Sequence, residues 1–137
     1  MCVWITLRAT GLLSKVRLFE LTVDREGRWT YESLAVEHAS GQLSPANFAQ
    51  LKSFYDKVNW ELEVLNSPLR TDDRILFELD VVHDGDDRRL YQFSEQTTHR
   101  SWEFQDLFHF LRHNVATAGD PVGFSPDPPQ EQPPAMQ

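Results

Sequence analysis

His109 and His113 stand four residues apart in a stretch of helical periodicity, the spacing by which a metalloprotease helix presents two zinc ligands. Phenylalanine, leucine and arginine lie between them, so the glutamate that acts as general base in the H-E-x-x-H motif is missing. Both rings fall opposite the apolar stripe of their helix, and a zinc site would also need His38, His83 or His99 to arrive from loops. The pair therefore reads as a solvated helix face. Asp84-Gly85-Asp86-Asp87, with Glu95 twelfth in the count from Asp84, has the outline of a calcium loop. Its fifth and sixth positions are Arg88 and Arg89, where an oxygen ligand and a glycine belong. A tight hairpin turn accounts for the same residues without an ion.

Asp72, Asp73, Glu78, Asp80, Asp84, Asp86 and Asp87 concentrate carboxylates in one stretch. General acid-base work needs two such groups in environments that push their pKa values apart, and loops or a solvent-facing strand side do not supply them. The chain has no G-x-S-x-G elbow, phosphate loop or dinucleotide fingerprint. These observations predict a protein that is not an enzyme, with no catalytic residue, metal or cofactor. Four tryptophans and nine phenylalanines are a rich supply for a small domain, and most fall on faces that should form the core. Trp102 instead projects near the polar side of the last helix, as a lid over the core edge or an exposed contact.

The elements that position these residues follow from periodicity and punctuation. Val3, Ile5 and Leu7 alternate with Trp4, Thr6 and Arg8 as in a half-buried strand, until Gly11 breaks the pattern. Phe19, Leu21 and Val23, then Trp29 and Tyr31, make a hairpin whose turn uses Gly27 where positive φ is needed. Ser44-Pro45 starts a helix: the serine oxygen accepts an orphan N–H and proline loses none. Phe48, Leu51, Tyr55, Val58 and Leu62 are expected on its buried face. A second hairpin alternates Ile75, Phe77, Leu79 and Val81, turns at His83-Asp84-Gly85-Asp86 and returns from Leu90 to Ser94. A last helix, from about Ser101 to Asn114, carries Phe104, Leu107, Phe108 and Leu111, then Val115, on one stripe. The prediction is an α+β fold in the order β-β-β-α-β-β-α: an antiparallel sheet of about five strands with two helices on one face.

Length places one domain at 1–118. Six of the eight prolines fall in the last 18 residues, with three acidic side chains and no Lys or Arg, so 119–137 is expected to be a disordered acidic tail. A net charge of −8 argues against phosphate-backbone binding, hence no nucleic-acid partner. No apolar run approaches a membrane span and no secretory leader is visible. The single cysteine, Cys2, cannot form an internal disulfide and reads as a small buried hydrophobe. The expected location is cytoplasmic.

In this order of features the chain resembles the emfourin family, small bacterial proteins named for a protein inhibitor of thermolysin-like metalloproteases such as protealysin. The resemblance rests on the opening strand and glycine turn from Ile5 to Leu13, and on the hairpin Leu21-Thr22-Val23-Asp24-Arg25-Glu26-Gly27-Arg28. It continues through the helix start Gly41-Gln42-Leu43-Ser44-Pro45, the exit at Trp60 and Leu62, the hairpin from Phe77 to Phe93, and the apolar helix ending in Leu107 to Leu111. It spans about residues 3 to 114.

The resemblance implies a protein partner, a thermolysin-like metalloprotease, bound by a preorganised loop without catalytic residues. The candidate loop is Thr10-Gly11-Leu12-Leu13-Ser14, because two adjacent leucines in a turn either fold back onto the core or bind something. The candidate partner-binding residues are thus Gly11, Leu12, Leu13 and Ser14, with Trp102. The alternative is a cytoplasmic interaction module that docks its acidic hairpin face on a basic partner.

Overall fold

The structure, a computed structural model, describes residues 3–34, 38–69, 72–94 and 100–115. Cys2, Glu95, His99, the boundary expected after residue 118 and the proline-rich tail lie outside the described residues. Strands β1 (Val3–Gly11), β2 (Arg17–Asp24), β3 (Arg28–Ser33) and β4 (Ala39–Gln42) precede helix α1 (Pro45–Lys57). Strands β5 (Ile75–His83) and β6 (Asp87–Ser94) and helix α2 (Trp102–Phe110) follow it. The six strands pair antiparallel in one sheet ordered β4-β3-β2-β1-β5-β6.

This is the predicted α+β architecture with one strand more. The addition is β4, whose sequence Ala-Ser-Gly-Gln carries no apolar alternation and takes its conformation from pairing with β3. Gly41 lies opposite Trp29, and a Cβ there would sit 2.6 Å from the indole Cζ2, so the ring occupies the space that any side chain at 41 would need.

One face of the sheet is apolar and covered. Ile5, Leu7, Phe19, Leu21, Val23, Tyr31, Phe77, Leu79, Val81, Tyr91 and Phe93 form a single buried cluster with Leu51 of α1 and Phe104, Leu107 and Phe108 of α2. Phe108 meets Phe77 and Phe93 edge-on, with ring centroids 4.8 and 5.0 Å away, and Phe54 joins the two helices through Phe110 at 5.2 Å. Burying each such ring contributes about 1.5–3 kcal/mol. Both helices start as their sequences require: the Ser44 hydroxyl accepts from the Asn47 N–H at 3.1 Å and the Ser101 hydroxyl from the Phe104 N–H at 3.1 Å. The chain then closes α2 with a wider π-type turn, Leu111–Val115, which keeps Leu111 and Val115 buried.

Two expectations about facing are corrected. Val3 is not on the buried side and Trp4 is. The β1–β2 register slips there, with Val3 opposite Asp24 but Ile5 opposite Val23, so Trp4 is the extra residue of a bulge and turns inward. Its ring packs 5.1 Å from that of Tyr55. Leu62 does not continue the α1 stripe. The helix ends at Lys57, Val58 is extended, and Leu62 lies in the following turn with 76% of its surface exposed. No described helix is long and apolar enough to cross a membrane.

Candidate functional site

The turn joining β1 to β2 is built from backbone hydrogen bonds. The Lys15 N–H donates to the Gly11 carbonyl at 2.9 Å, and the Gly11 N–H to the Val16 carbonyl at 2.9 Å. Lys15 closes the turn in the left-handed region at φ 60°, and the Ser14 hydroxyl accepts from the Val16 N–H at 3.3 Å. The Leu12 N–H donates to the Arg74 carbonyl at 2.8 Å, which ties the turn to the chain entering β5. Gly11 is buried, and a Cβ on it would fall 2.3 Å from Ser14 Oγ. The two leucines divide: Leu12 is half-buried, whereas Leu13 is 92% exposed at the tip. Folding back therefore describes Leu12 and not Leu13.

Trp102 is no lid. It is 77% exposed at the start of α2. Its neighbourhood is set by Arg100, whose side chain is fully buried. The Arg100 guanidinium donates to the carbonyls of Val64 and, at 3.0 Å, Gln92, pairs with Glu63 at 3.4 Å and lies 4.7 Å over the Phe104 ring. Burial lowers its pKa, and the hydrogen bond it donates to Glu63 opposes that shift. This clamp fixes segment 63–67 along β6, where Asn66 bridges to Gln92, and leaves the Val64 and Leu65 side chains exposed.

The residues assigned to a solvated face behave differently from one another. His109 is exposed and its ring stacks on that of His113 at 5.8 Å, as the four-residue spacing implies. Asp80 is buried on the outer face of the sheet, where Arg88 clasps both carboxylate oxygens at 2.6–3.1 Å and Arg8 approaches to 3.7 Å while holding Glu20 at 2.9 Å. These alternating charges run from β2 to β6 as a cross-strand ladder. Asp84, Gly85 and Asp86 form the tip of the β5–β6 hairpin, with Gly85 and Asp86 at positive φ. Among the described residues, no three His, Cys, Asp or Glu side chains converge as metal ligands.

Sequence reasoning missed a second cluster at the far end of β5. The sequence predicts a turn from His83, yet β5 runs through it and the alternation Phe77, Leu79, Val81 carries it to the inner face. Its Nδ1 lies 2.6 Å from the Tyr55 hydroxyl and its Nε2 3.3 Å from the Tyr91 hydroxyl. Trp60 wedges in at 5.0 Å from the imidazole, 5.3 Å from the Tyr55 ring and 5.2 Å from the Tyr91 ring, and its indole N–H donates to the Tyr55 carbonyl at 3.2 Å. Burial lowers the pKa of His83, aided by Arg89 and opposed by Asp87. Burial also raises both phenols, so these hydroxyls stay protonated at neutral pH. Tyr55, Trp60 and His83 wall a cavity of about 540 Å³ that Asp84, Asp87 and Arg89 also line.

No protein-family model matches this chain, and no curated protein matches its sequence.

Proposed function

We propose that this chain is a non-enzymatic protein-binding domain whose turn at residues 11–15 enters an apolar cleft of its partner. The resemblance to emfourins makes that partner a thermolysin-like metalloprotease and the cleft its active site. The observation that carries the reading is Leu13: a large apolar side chain 92% exposed on a turn whose backbone is tied at Gly11, Leu12 and Lys15. Such a turn meets its ordering cost during folding, which is what allows a short loop to bind tightly. Residues 1–19 carry three cations and no carboxylate in a protein of net charge −8, which favours a cleft with an acidic rim. Trp102, 77% exposed, is a second large apolar side chain available to a partner. A lone cysteine suits work in the reducing cytoplasm.

The test is inhibition of thermolysin-like proteases by the purified protein at micromolar concentration, with Leu13→Asp alongside. The parent should inhibit. The variant should keep its circular dichroism spectrum and lose inhibition, because an unpaired carboxylate in an apolar cleft is strongly disfavoured. Full protease activity in the presence of the parent, across several such enzymes, would end the inhibitor reading. Docking through the acidic hairpin is the second reading, favoured by the exposed Asp84, Asp86 and Asp87. It is separated from the first by Asp84→Asn/Asp86→Asn, which should abolish capture of a basic partner and leave Leu13-dependent inhibition intact.

A further inference from the structure

We propose that His83 is a proton-operated latch: while neutral it holds the C-terminal turn of α1 against the β5–β6 hairpin, and on taking up a second ring proton it lets that turn go. The argument starts from hydrogen-bond accounting. A neutral imidazole has one donor and one acceptor nitrogen, and an imidazolium has two donors. The short 2.6 Å contact assigns Nδ1 as acceptor of the Tyr55 O–H, which leaves Nε2–H to donate to Tyr91 at 3.3 Å. One ring thus joins α1 to β6, 28 residues of sequence being bridged by the Tyr55 bond alone. Protonation places a solvent proton on the Nδ1 lone pair, so the Tyr55 hydroxyl must rotate from donor to acceptor, beside a charge that the surrounding rings desolvate.

The surroundings resist the charged ring on most sides. Trp60, Tyr55 and Tyr91 present apolar rings to it. Arg89 from β6 and Arg25 from the β2–β3 turn oppose an imidazolium, while Asp87 and Asp84 at the hairpin favour it. Both aspartates are partly engaged, Asp87 with Arg89 at 2.9 Å and Asp84 with Arg25 at 3.8 Å. Proton uptake therefore competes with burial, and relief comes from moving the ring and Trp60 apart. The residues that move are those walling the cavity, so the opened form presents Trp60 at this end of the molecule under mildly acidic conditions.

The sign of the linkage is fixed by the direction of the shift. A histidine held below its ordinary value of 6.5 stabilises the fold above that pH, and the stabilisation is lost as pH falls through the folded-state value. The test uses the full chain in three forms: parent, His83→Gln and Tyr55→Phe. Imidazole titration by NMR should place His83 below 6.5 in the parent and return it toward 6.5 in Tyr55→Phe, which has no hydroxyl to donate to Nδ1. Amide exchange at residues 58–62, corrected for its intrinsic pH dependence, should accelerate between pH 7 and pH 5 in the parent. The melting temperature should fall over the same interval by several degrees more in the parent than in His83→Gln. The latch is overturned if His83 titrates at or above 6.5, if Tyr55→Phe leaves its midpoint unmoved, or if parent and His83→Gln lose equal stability on acidification.

Discussion

Gly11→Ala should be neutral or destabilising when residue 14 is serine and stabilising when it is alanine. A Cβ at position 11 falls 2.3 Å from Ser14 Oγ, far inside contact distance, but 3.6 Å from Ser14 Cβ and 3.9 Å from the Val16 carbonyl, both ordinary separations. The collision is thus with one movable oxygen. Relieving it swings the hydroxyl away and breaks its bond from the Val16 N–H, a net loss of about 0.5–1.5 kcal/mol. Against this, alanine restricts the unfolded chain more than glycine does, a gain of about 0.4–1 kcal/mol where the backbone permits it. Gly11 qualifies because its φ is not in the left-handed region. In the parent the two terms nearly cancel, leaving Gly11→Ala neutral to about 1 kcal/mol destabilising. In a Ser14→Ala background the oxygen and its bond are already gone, and the same change should stabilise by about 0.4–1 kcal/mol. The coupling between the sites is then about 1 kcal/mol, or roughly 0.5 M in urea midpoint at an m-value near 2 kcal/mol/M. Urea unfolding of the four proteins measures it. Equal effects of Gly11→Ala in both backgrounds would refute this account of how the turn is held.

Gly41→Ala forces a Cβ to within 2.6 Å of the Trp29 ring, which cannot rotate away as a serine hydroxyl can. It should cost about 1–3 kcal/mol and change the near-UV circular dichroism of the indole. Phe77→Ala and Leu107→Ala each open a cavity under α2 and should cost about 2–5 kcal/mol in urea unfolding, whereas exposed His109→Ala should stay within about 0.5 kcal/mol.

The parts of the fold readable from sequence are those whose cause is local. Ser44 and Ser101 cap their helices because a hydroxyl three residues before an orphan N–H does so in any context, and Gly27 takes φ 85° because its turn demands it. Alternation places Phe77, Leu79 and Val81 inward for the same reason. The failures are positions where pairing at a distance overrules the local pattern. Nothing near Trp4 announces that β1 slips by one residue against β2. Nothing in Ala-Ser-Gly-Gln announces a strand, because the signal is the space it leaves for Trp29 on the neighbouring strand. No local pattern announces that Arg100 is fully buried, because the carbonyls that receive it come from 64–65 and from β6. Of the candidate contact residues, the turn that holds Leu12 and Leu13 is legible from Gly11, but which leucine folds back is not, because that depends on the tie from Leu12 to Arg74. The exposure of Trp102 was left open because it depends on where the clamped segment lies.

The two ends of β5 separate the proposed activities physically. Gly11 pairs with Ile75 at the start of β5, and His83 is the last residue of the same nine-residue strand. At about 3.3 Å per residue the two lie roughly 26 Å apart along the strand. That is beyond the screening length of about 8 Å at physiological ionic strength, so charging His83 exerts little direct field on the leucine turn. The mechanical route is also weak. The turn is tied by backbone bonds at residues 11–16 and to Arg74, and none of these involves Tyr55, Trp60 or Tyr91. Between them lies the part of the sheet packed by Phe77, Leu79, Phe93 and Phe108, whose close-packed rings do not deform continuously. Opening the latch should therefore leave a Leu13-dependent contact intact. Inhibition by His83→Gln should match that of the parent at every pH, so a latch that also governed the turn would show itself as a pH-dependent difference between the two.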